Sequence, residues 1–255
     1  MYVVHPEYPL IVDNEFKNKS ATTFSTDQVT QRVHWKHGPI NYKWNSLGHR
    51  TKELKNLNSE FILTFGCSYT EGVGLHTEQI WNYHVSAALG IDLYNLAKQG
   101  TGMDVQFMNA TFWINSQLPK PKYVIVQWPH KARKSFGFKE TYGIRVADMS
   151  ETNTKDGVWW GKRYIDDTGD MSLNNFMWYE NFNTAWKSIG VPVLNFTWDD
   201  DLAIELERSR FELHTIFPET YDKARDNQHD GPIFHKQTSE RLLKIINSGS
   251  FTDKV

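Results

Sequence analysis

The sequence predicts an α/β protein with a mostly parallel sheet covered by helices on both faces, and three observations predict it. Short apolar runs recur as FILTFG (61–66), IDLYNLA (91–97), YVIVQW (123–128) and VPVLNFTW (191–198). Runs of this length, closed by turn residues, look like strands buried on both faces rather than half-exposed ones. Between them lie segments with helical spacing of apolar residues, so strand and helix alternate. Right-handed crossovers then limit the topology to a doubly wound sandwich.

The elements follow in chain order. From Met1 to about Glu60 the chain is polar, rich in Asn, Thr and Lys, and shows no sustained period, so most of it is expected to be an extension wrapped on the domain. FILTFG then supplies the first core strand. EQIWNYHVSAALG (78–90) reads as a helix that stops at Gly90. IDLYNLA is the second strand, MDVQFMNATFWINSQL (103–118) an amphipathic helix ended by Pro119, and YVIVQW the third strand. A helix over 172–189 feeds the fourth strand, and IFHKQTSERLLKIINS (233–248) is the last helix, with Phe234, Leu242, Ile245 and Ile246 on one face. The stretch from about Pro129 to Asp170 fits no such unit. Its runs FGFKETYGIRVAD and VWWGKRYID, separated by a segment containing TKDG, predict a β-hairpin insertion. An insertion at the carboxyl end of a sheet strand lies where open α/β sheets bind ligands.

Composition excludes several classes of function. The 255 residues amount to about 1.7 typical domains, one large domain or one domain with an extension. Lys+Arg 28 against Asp+Glu 30, with no basic block, argues against a duplex nucleic-acid binder. Cys67 is the one cysteine, so an internal disulfide and a multi-thiolate zinc site are excluded. Aromatic residues reach 14 %, with 10 Trp and 11 Tyr, rings that serve either a core or a sugar-stacking surface. The start, MYVVHPEYPLIVDNEF, has no basic n-region and its apolar residues are interrupted by His5, Pro6, Glu7 and Pro9. It reads as neither a secretory signal nor a membrane span, and the expected location is the cytoplasm. Release by lysis, as for a phage product, is compatible with that reading.

Three short segments carry chemistry. Gly66-Cys67-Ser68-Tyr69-Thr70-Glu71-Gly72 directly follows the first core strand. A Ser on a tight turn there faces a crevice, with backbone N–H groups near enough to hold an oxyanion. Thr70 stands where the G-x-S-x-G elbow would have its second Gly, and taken alone the turn is also an ordinary βα loop. Asp226-Asn227-Gln228-His229, followed by Asp230-Gly231-Pro232, lets a carboxylate orient an imidazole. The same residues also suit an Asx turn that caps the last helix through Asp230. Tyr94 to Gly102, YNLAKQGTG, turns from strand to helix through glycines that allow close backbone approach to a ligand.

In this order the three segments resemble the blocks of the SGNH/GDSL hydrolase superfamily. FGCSYTEGVGL is similar to the first block, NLAKQGTG to the second and ARDNQH to the D-x-x-H block, with NSLGHRTKE (45–53) preceding them; the resemblance spans roughly Asn45 to Ser248. It implies a flavodoxin-like three-layer α/β/α sandwich in 45–255, with 1–44 as the amino-terminal extension and the insertion at about 130–170. It also implies a catalytic triad of Ser68, His229 and Asp226, with the N–H groups of Ser68 and Gly100 as oxyanion donors. Two departures are visible. Cys67 occupies the place where the family usually has Asp, and no Asn follows the third strand, which reads Val126-Gln127-Trp128-Pro129-His130. Gln127 or His130 is then the alternative third donor.

The expected function is ester hydrolysis through an acyl-enzyme, on a small-acyl ester or an O-acylated carbohydrate. The alternatives are a non-catalytic binding or structural module of the same fold and an O-acyltransferase. Tyr69, Trp128, Trp159 and Trp160 are the candidate substrate contacts, joined by Tyr164 as a ring for stacking on sugar, although Trp pairs also pack cores and hairpins. No cofactor, no metal, no nucleic acid and no membrane are expected. His229 and His235 with Asp226 and Asp230 have no standard zinc spacing. Cys67 is expected to point away from the base when Ser68 points towards it, and Asp199-Asp200-Asp201 are expected to start a helix.

Overall fold

The computed structural model describes residues 2–4, 11–13, 16–22, 34–116, 118–131, 133–138, 143–148, 168–208 and 213–249. The elements in chain order are β1 (Tyr2–Val4), β2 (Ile11–Asp13), β3 (Ser20–Ala21), β4 (Tyr42–Lys43), β5 (Phe61–Phe65), α1 (Ser68–Glu71), α2 (Trp81–Leu89), β6 (Asp92–Asn95) and α3 (Met103–Asn115). They continue with β7 (Tyr123–Trp128), β8 (Arg133–Phe138), β9 (Gly143–Asp148), α4 (Thr168–Ser188), β10 (Val193–Thr197), α5 (Asp200–Arg208), β11 (His214–Thr215) and α6 (Pro232–Ser248). Each apolar run of the sequence is a core strand, and each segment with helical spacing is a helix; α2 and α3 are shorter than expected where turns and caps take over, whereas α4 begins four residues and α6 one residue earlier.

The central sheet has five strands in the order β11-β10-β7-β5-β6, and every pair is parallel. Numbered by appearance this is 2-1-3-4-5 read from β6, the flavodoxin-like order. Leu63 pairs with Tyr94 on one side and Val124 on the other, which fixes which residues share a face. Phe61, Leu63 and Phe65 pack with Trp113 of α3 and Phe182 and Trp186 of α4. Ile62 lies in the opposite cluster with Trp81 and Val85 of α2 and Leu242 and Ile246 of α6. The period-2 alternation of strands that are apolar throughout therefore builds two cores, and the result is a three-layer α/β/α sandwich.

The ring-rich composition goes largely to these cores. Trp44, Trp81, Trp113, Trp128 and Trp186 are all buried. Each buried Trp removes roughly 150–250 Å² from water, about 4–6 kcal/mol of gross burial at about 25 cal/mol per Å².

Two expectations change. The hairpin of the insertion closes earlier than TKDG: β8 pairs antiparallel with β9, Arg133 opposite Asp148 and Phe138 opposite Gly143, so FGFKETYGIRVAD is itself folded back. Both of its halves alternate, and period 2 alone does not mark where one alternating run reverses. VWWGKRYID, including Trp159, Trp160 and Tyr164, lies outside the described residues. The second change concerns the amino terminus, where β1 pairs with both β2 and β9, forming a second sheet in the order β2-β1-β9-β8. Strands of three residues carry too few positions to show a period, and the second partner of β1 lies some 140 residues on. Nearer the domain, Ile40, Tyr42, Trp44 and Val73 form a small buried cluster that holds residues 40–44 against the loop after α1. No helix among the described residues is long and apolar enough to cross a membrane.

Candidate active site

In a sheet of this order the direction in which successive strands are added reverses between β5 and β7, and a crevice opens at the carboxyl ends of these parallel strands. Ser68 stands there, the first residue of α1, one turn beyond β5. Gly66 makes the turn possible, because a Cβ at that position would lie 2.3 Å from Thr70 Oγ1. Ser68 is buried, and its Oγ lies 2.8 Å from His229 Nε2. His229 Nδ1 lies 2.5 Å from Asp226 Oδ2. A carboxylate only accepts, so Nδ1 carries the proton and Nε2 is left to accept from the Ser68 hydroxyl.

The loop that brings this imidazole in is built by Asp226. Its Oδ1 accepts from the backbone N–H groups of Gln228 and His229, each at 3.0 Å, while Asn227 takes the left-handed conformation at φ 61°. Burial by itself would raise the Asp226 carboxyl, but hydrogen bonds and charge from His229 and the two backbone N–H groups outweigh it and hold the group well below the ordinary carboxylate range. Arg225 N–H donates to Gly74 O at 3.0 Å, tying the loop to the segment after α1. The expected cap of the last helix is corrected: Asp222, not Asp230, accepts from the N–H groups of Ile233 and Phe234, each at 3.0 Å. Asp230 instead pairs with Lys223 at 3.1 Å, because the turn that positions His229 faces it away from the helix end.

Gly100 has φ +75°, a conformation that favours glycine. The segment carrying it is held to the nucleophile turn, since Lys98 N–H donates to Gly66 O at 3.2 Å and Gln106 Nε2 donates to the same oxygen at 3.1 Å. Among the described residues neither Ser68 N–H nor Gly100 N–H donates a hydrogen bond.

Gln127 lines the cavity next to Cys67 and is held by hydrogen bonds. Its Oε1 accepts from Cys67 Sγ and Thr70 Oγ1, both at 3.3 Å, and its Nε2 donates to Trp128 O at 2.7 Å. The amide is a strut beneath the nucleophile turn, and Cys67 is turned into that strut and away from His229. Trp128 belongs mainly to the core: its ring is buried against Phe182 and Tyr179 and its Nε1 donates to Asn195 Oδ1 at 2.9 Å, although the residue also lines the cavity beside Tyr69. The end of a doubly buried strand alternates faces, and this position falls on the core side. His130 is half-exposed, with Nε2 4.0 Å from Asp199 Oδ2.

Tyr69 does reach the crevice. Its ring lies edge-on to His229 at 4.9 Å and to Trp198 at 5.2 Å between centroids. Burial raises its phenol, and the nearby Asp230 and Cys67 raise it further, so the hydroxyl keeps its proton. A cavity of about 430 Å³ adjoins Tyr69 and Cys67 on one side and Asp230 on the other. Its wall combines the rings of Trp198, Tyr221 and Phe234 with His130, Arg133 and Asp199. Tyr69, whose ring touches His229, and Cys67, which precedes Ser68, both line the cavity.

Among the described residues no group of three or more His, Cys, Asp or Glu is arranged to hold a metal ion. His235 Nδ1 accepts from Trp81 N–H at 3.2 Å, and both ring nitrogens of His229 are engaged, one with Asp226 and one with Ser68.

Several residues around the site escaped the sequence reading. Arg50 donates to the carbonyls of Glu71, Gly72 and Leu75 and stacks on Tyr42, holding the carboxyl end of α1. Glu71 and Lys98 form a buried ion pair at 2.9 Å. The available signal was their opposite charge inside the two loop segments that carry Ser68 and Gly100.

No protein-family model matches the chain, and no curated protein matches it by sequence. Solved structures do match. An acetyl xylan esterase, Est2A, from the rumen bacterium Butyrivibrio proteoclasticus superposes with a TM-score of 0.52 at 13 % identity, over 84 % of this chain and 68 % of that one. A carbohydrate esterase described as having divergent catalytic and non-catalytic binding functions matches at 10 % identity and a TM-score of 0.48, over 75 % of this chain and 65 % of that one. TesA matches at 13 % identity and a TM-score of 0.47, over 74 % of this chain and 98 % of that one. The chain thus spans about two thirds of the length of the two carbohydrate-active structures. With its strand order, its Ser on the first βα turn and its superposition on Est2A, this chain has the α/β/α fold of the SGNH/GDSL hydrolases.

Proposed function

We propose that the chain is a serine esterase in which Ser68 is the nucleophile, His229 the general base and Asp226 the group that orients and stabilises the imidazolium. The observation that carries this reading is the continuous line from Ser68 Oγ to His229 Nε2 at 2.8 Å and from His229 Nδ1 to Asp226 Oδ2 at 2.5 Å. A serine hydroxyl is a weak nucleophile at neutral pH and needs such a base. Ser68 Oγ adds to the ester carbonyl as its proton passes to His229 Nε2, and the oxyanion is received by the N–H groups of Ser68 and Gly100. Collapse expels the alcohol, protonated by His229, and leaves an acyl-enzyme. Water then adds, giving its proton to His229, and the acid departs.

The preferred substrate is an O-acylated carbohydrate or another small acyl ester. The cavity beside Tyr69 supports this, because rings give a stacking surface while imidazole, guanidinium and carboxylate groups hydrogen-bond hydroxyls. His130, at the edge of that cavity, is the candidate third donor. The fold shared with an acetyl xylan esterase points the same way.

The test is hydrolysis of p-nitrophenyl acetate and of acetylated xylo-oligosaccharides by the wild type and by Ser68→Ala. The expected result is turnover by the wild type and a fall of kcat by roughly four to six orders of magnitude in the variant. Equal rates for the two proteins overturn the serine mechanism, and absence of turnover across both substrates overturns the esterase reading.

A further inference from the structure

Buried between the nucleophile helix and the Gly100 loop is an ion pair that the triad mechanism does not use. Glu71 closes α1, three residues after Ser68, and Lys98 precedes Gly100 by two. Their side chains are 0 % and 1 % exposed, and Lys98 Nζ lies 2.9 Å from Glu71 Oε1. The second carboxylate oxygen, Oε2, accepts from the backbone N–H of Gln99 at 2.6 Å. The segment ahead of β5 adds one donor and one acceptor: Trp44 Nε1–H donates to Glu71 Oε1 at 3.3 Å, and Gly48 O accepts from Lys98 Nζ at 2.9 Å.

The consequence appears in the four consecutive N–H groups from Lys98 to Thr101. Lys98 N–H is tied to Gly66 O, Gln99 N–H to Glu71, and Thr101 N–H to Lys98 O. Gly100 N–H, among the described residues, is the one left over. The peptide that carries it is therefore clamped on both sides, and the clamp on its amino side is a carboxylate belonging to the helix whose first residue is Ser68. One carboxylate sets the distance and angle between the two candidate oxyanion donors. Lys98 has a second task, since an uncompensated Glu71 charge at this depth would oppose a developing oxyanion, and the ammonium cancels it.

We propose that Glu71, neutralised by Lys98, is a positioning residue that straps the Gly100 loop to the nucleophile helix and so preorganises the oxyanion hole. This rests on the serine-esterase reading for its catalytic consequence, but the strap itself is a structural claim with its own readout. A preorganised donor counts in the transition state more than in the ground state, so its loss lowers kcat and leaves KM nearly unchanged.

The experiment compares the full chain with Glu71→Met/Lys98→Met, which removes both charges and leaves no unpaired buried charge, and with Glu71→Gln, which keeps the volume and one weaker acceptor. In the double variant the Gln99 amide is expected to lose its hydrogen-exchange protection. Its kcat on p-nitrophenyl acetate is expected to fall about ten- to hundredfold, part of the effect of deleting an oxyanion donor, with KM within about twofold. Glu71→Gln is expected to lie between, with kcat down about three- to tenfold and KM again unchanged. Partial rescue by Gln over the double variant identifies the acceptor as the working part. An unchanged kcat in either folded variant, or a Gln99 amide that stays protected in the double variant, overturns the proposal. If the wild type turns over no ester, the exchange measurement still decides the strap, and the lack of turnover bears on the esterase reading alone.

Discussion

At Asp226 one side chain does two jobs with two oxygens: Oδ1 builds the turn by accepting from Gln228 and His229, and Oδ2 takes the imidazole proton. Asp226→Asn keeps an oxygen for the turn but offers the ring an amide, which favours the wrong tautomer. The expected loss in kcat is on the order of 10⁴-fold, measured on p-nitrophenyl acetate. The carboxyl is held lower in the folded chain than in the unfolded one, so its contribution to stability is present above about pH 4 and is lost as pH falls further. The stability gap between wild type and Asp226→Asn should accordingly close in acid, as read by urea denaturation at a series of pH values. The three residues of the proposed triad could be singled out at this scale because Ser, Asp and His are the residue types the chemistry needs, and the structure places them within hydrogen-bond reach of one another. The packing of Gln127 and Trp128 was not legible, because residue type says nothing about what a side chain has already bonded: the Gln amide holds the turn, and the Trp ring is core.

Among the elements, the last helix shows how a local motif can name the right device and the wrong residue. Gly231 and Pro232 start α6 as expected, yet the capping carboxylate comes from Asp222, nine residues before Gly231, which also accepts no substitute from Asp230 because that group faces Lys223. Asp222→Ala leaves the N–H groups of Ile233 and Phe234 without an acceptor. It should lower the free energy of unfolding by about 0.5–2 kcal/mol, seen as a lower urea midpoint with an unchanged m-value. The core strands were readable from sequence because burial on both faces demands an unbroken apolar run. The amino-terminal strands and the hairpin turn were not, because β1 and β2 are three-residue strands whose sheet is completed only by the distant β9. The Glu71–Lys98 pair belongs to the same class, visible as two charges in two loops and meaningful only once the parallel pairing of β5 and β6 brings those loops together.

Over the whole molecule, the two helical layers are joined to the sheet by apolar packing, with a few buried polar ties. His235 is one, a buried imidazole on α6 that accepts the Trp81 N–H at the start of α2. Burial first, and then the charges of His229 and His84, push its pKa down to about 3. An unfolded histidine takes up its proton near pH 6.5, so between roughly pH 6.5 and pH 3 the unfolded chain binds a proton that the folded chain refuses. The stability this gives is fully present above about pH 6.5 and is lost as pH falls toward 3; His84, also lowered by burial, acts in the same direction. The Tm of the wild type should fall with acidification across this window, and His235→Asn, which keeps an acceptor for Trp81 but cannot charge, should flatten the slope. By itself the sequence determined the α/β class, the helix and strand order, and three residues of the types and order that acyl transfer needs, because those follow from hydrophobic period, turn chemistry and residue type along the chain. Only the tertiary structure decided the strand order, the cavity beside Tyr69, the engagement of Gln127 and Trp128, and the strap from Glu71 to the Gly100 loop. Each of these depends on which distant segments the sheet places side by side, and pairing across the sheet leaves no local mark in the sequence.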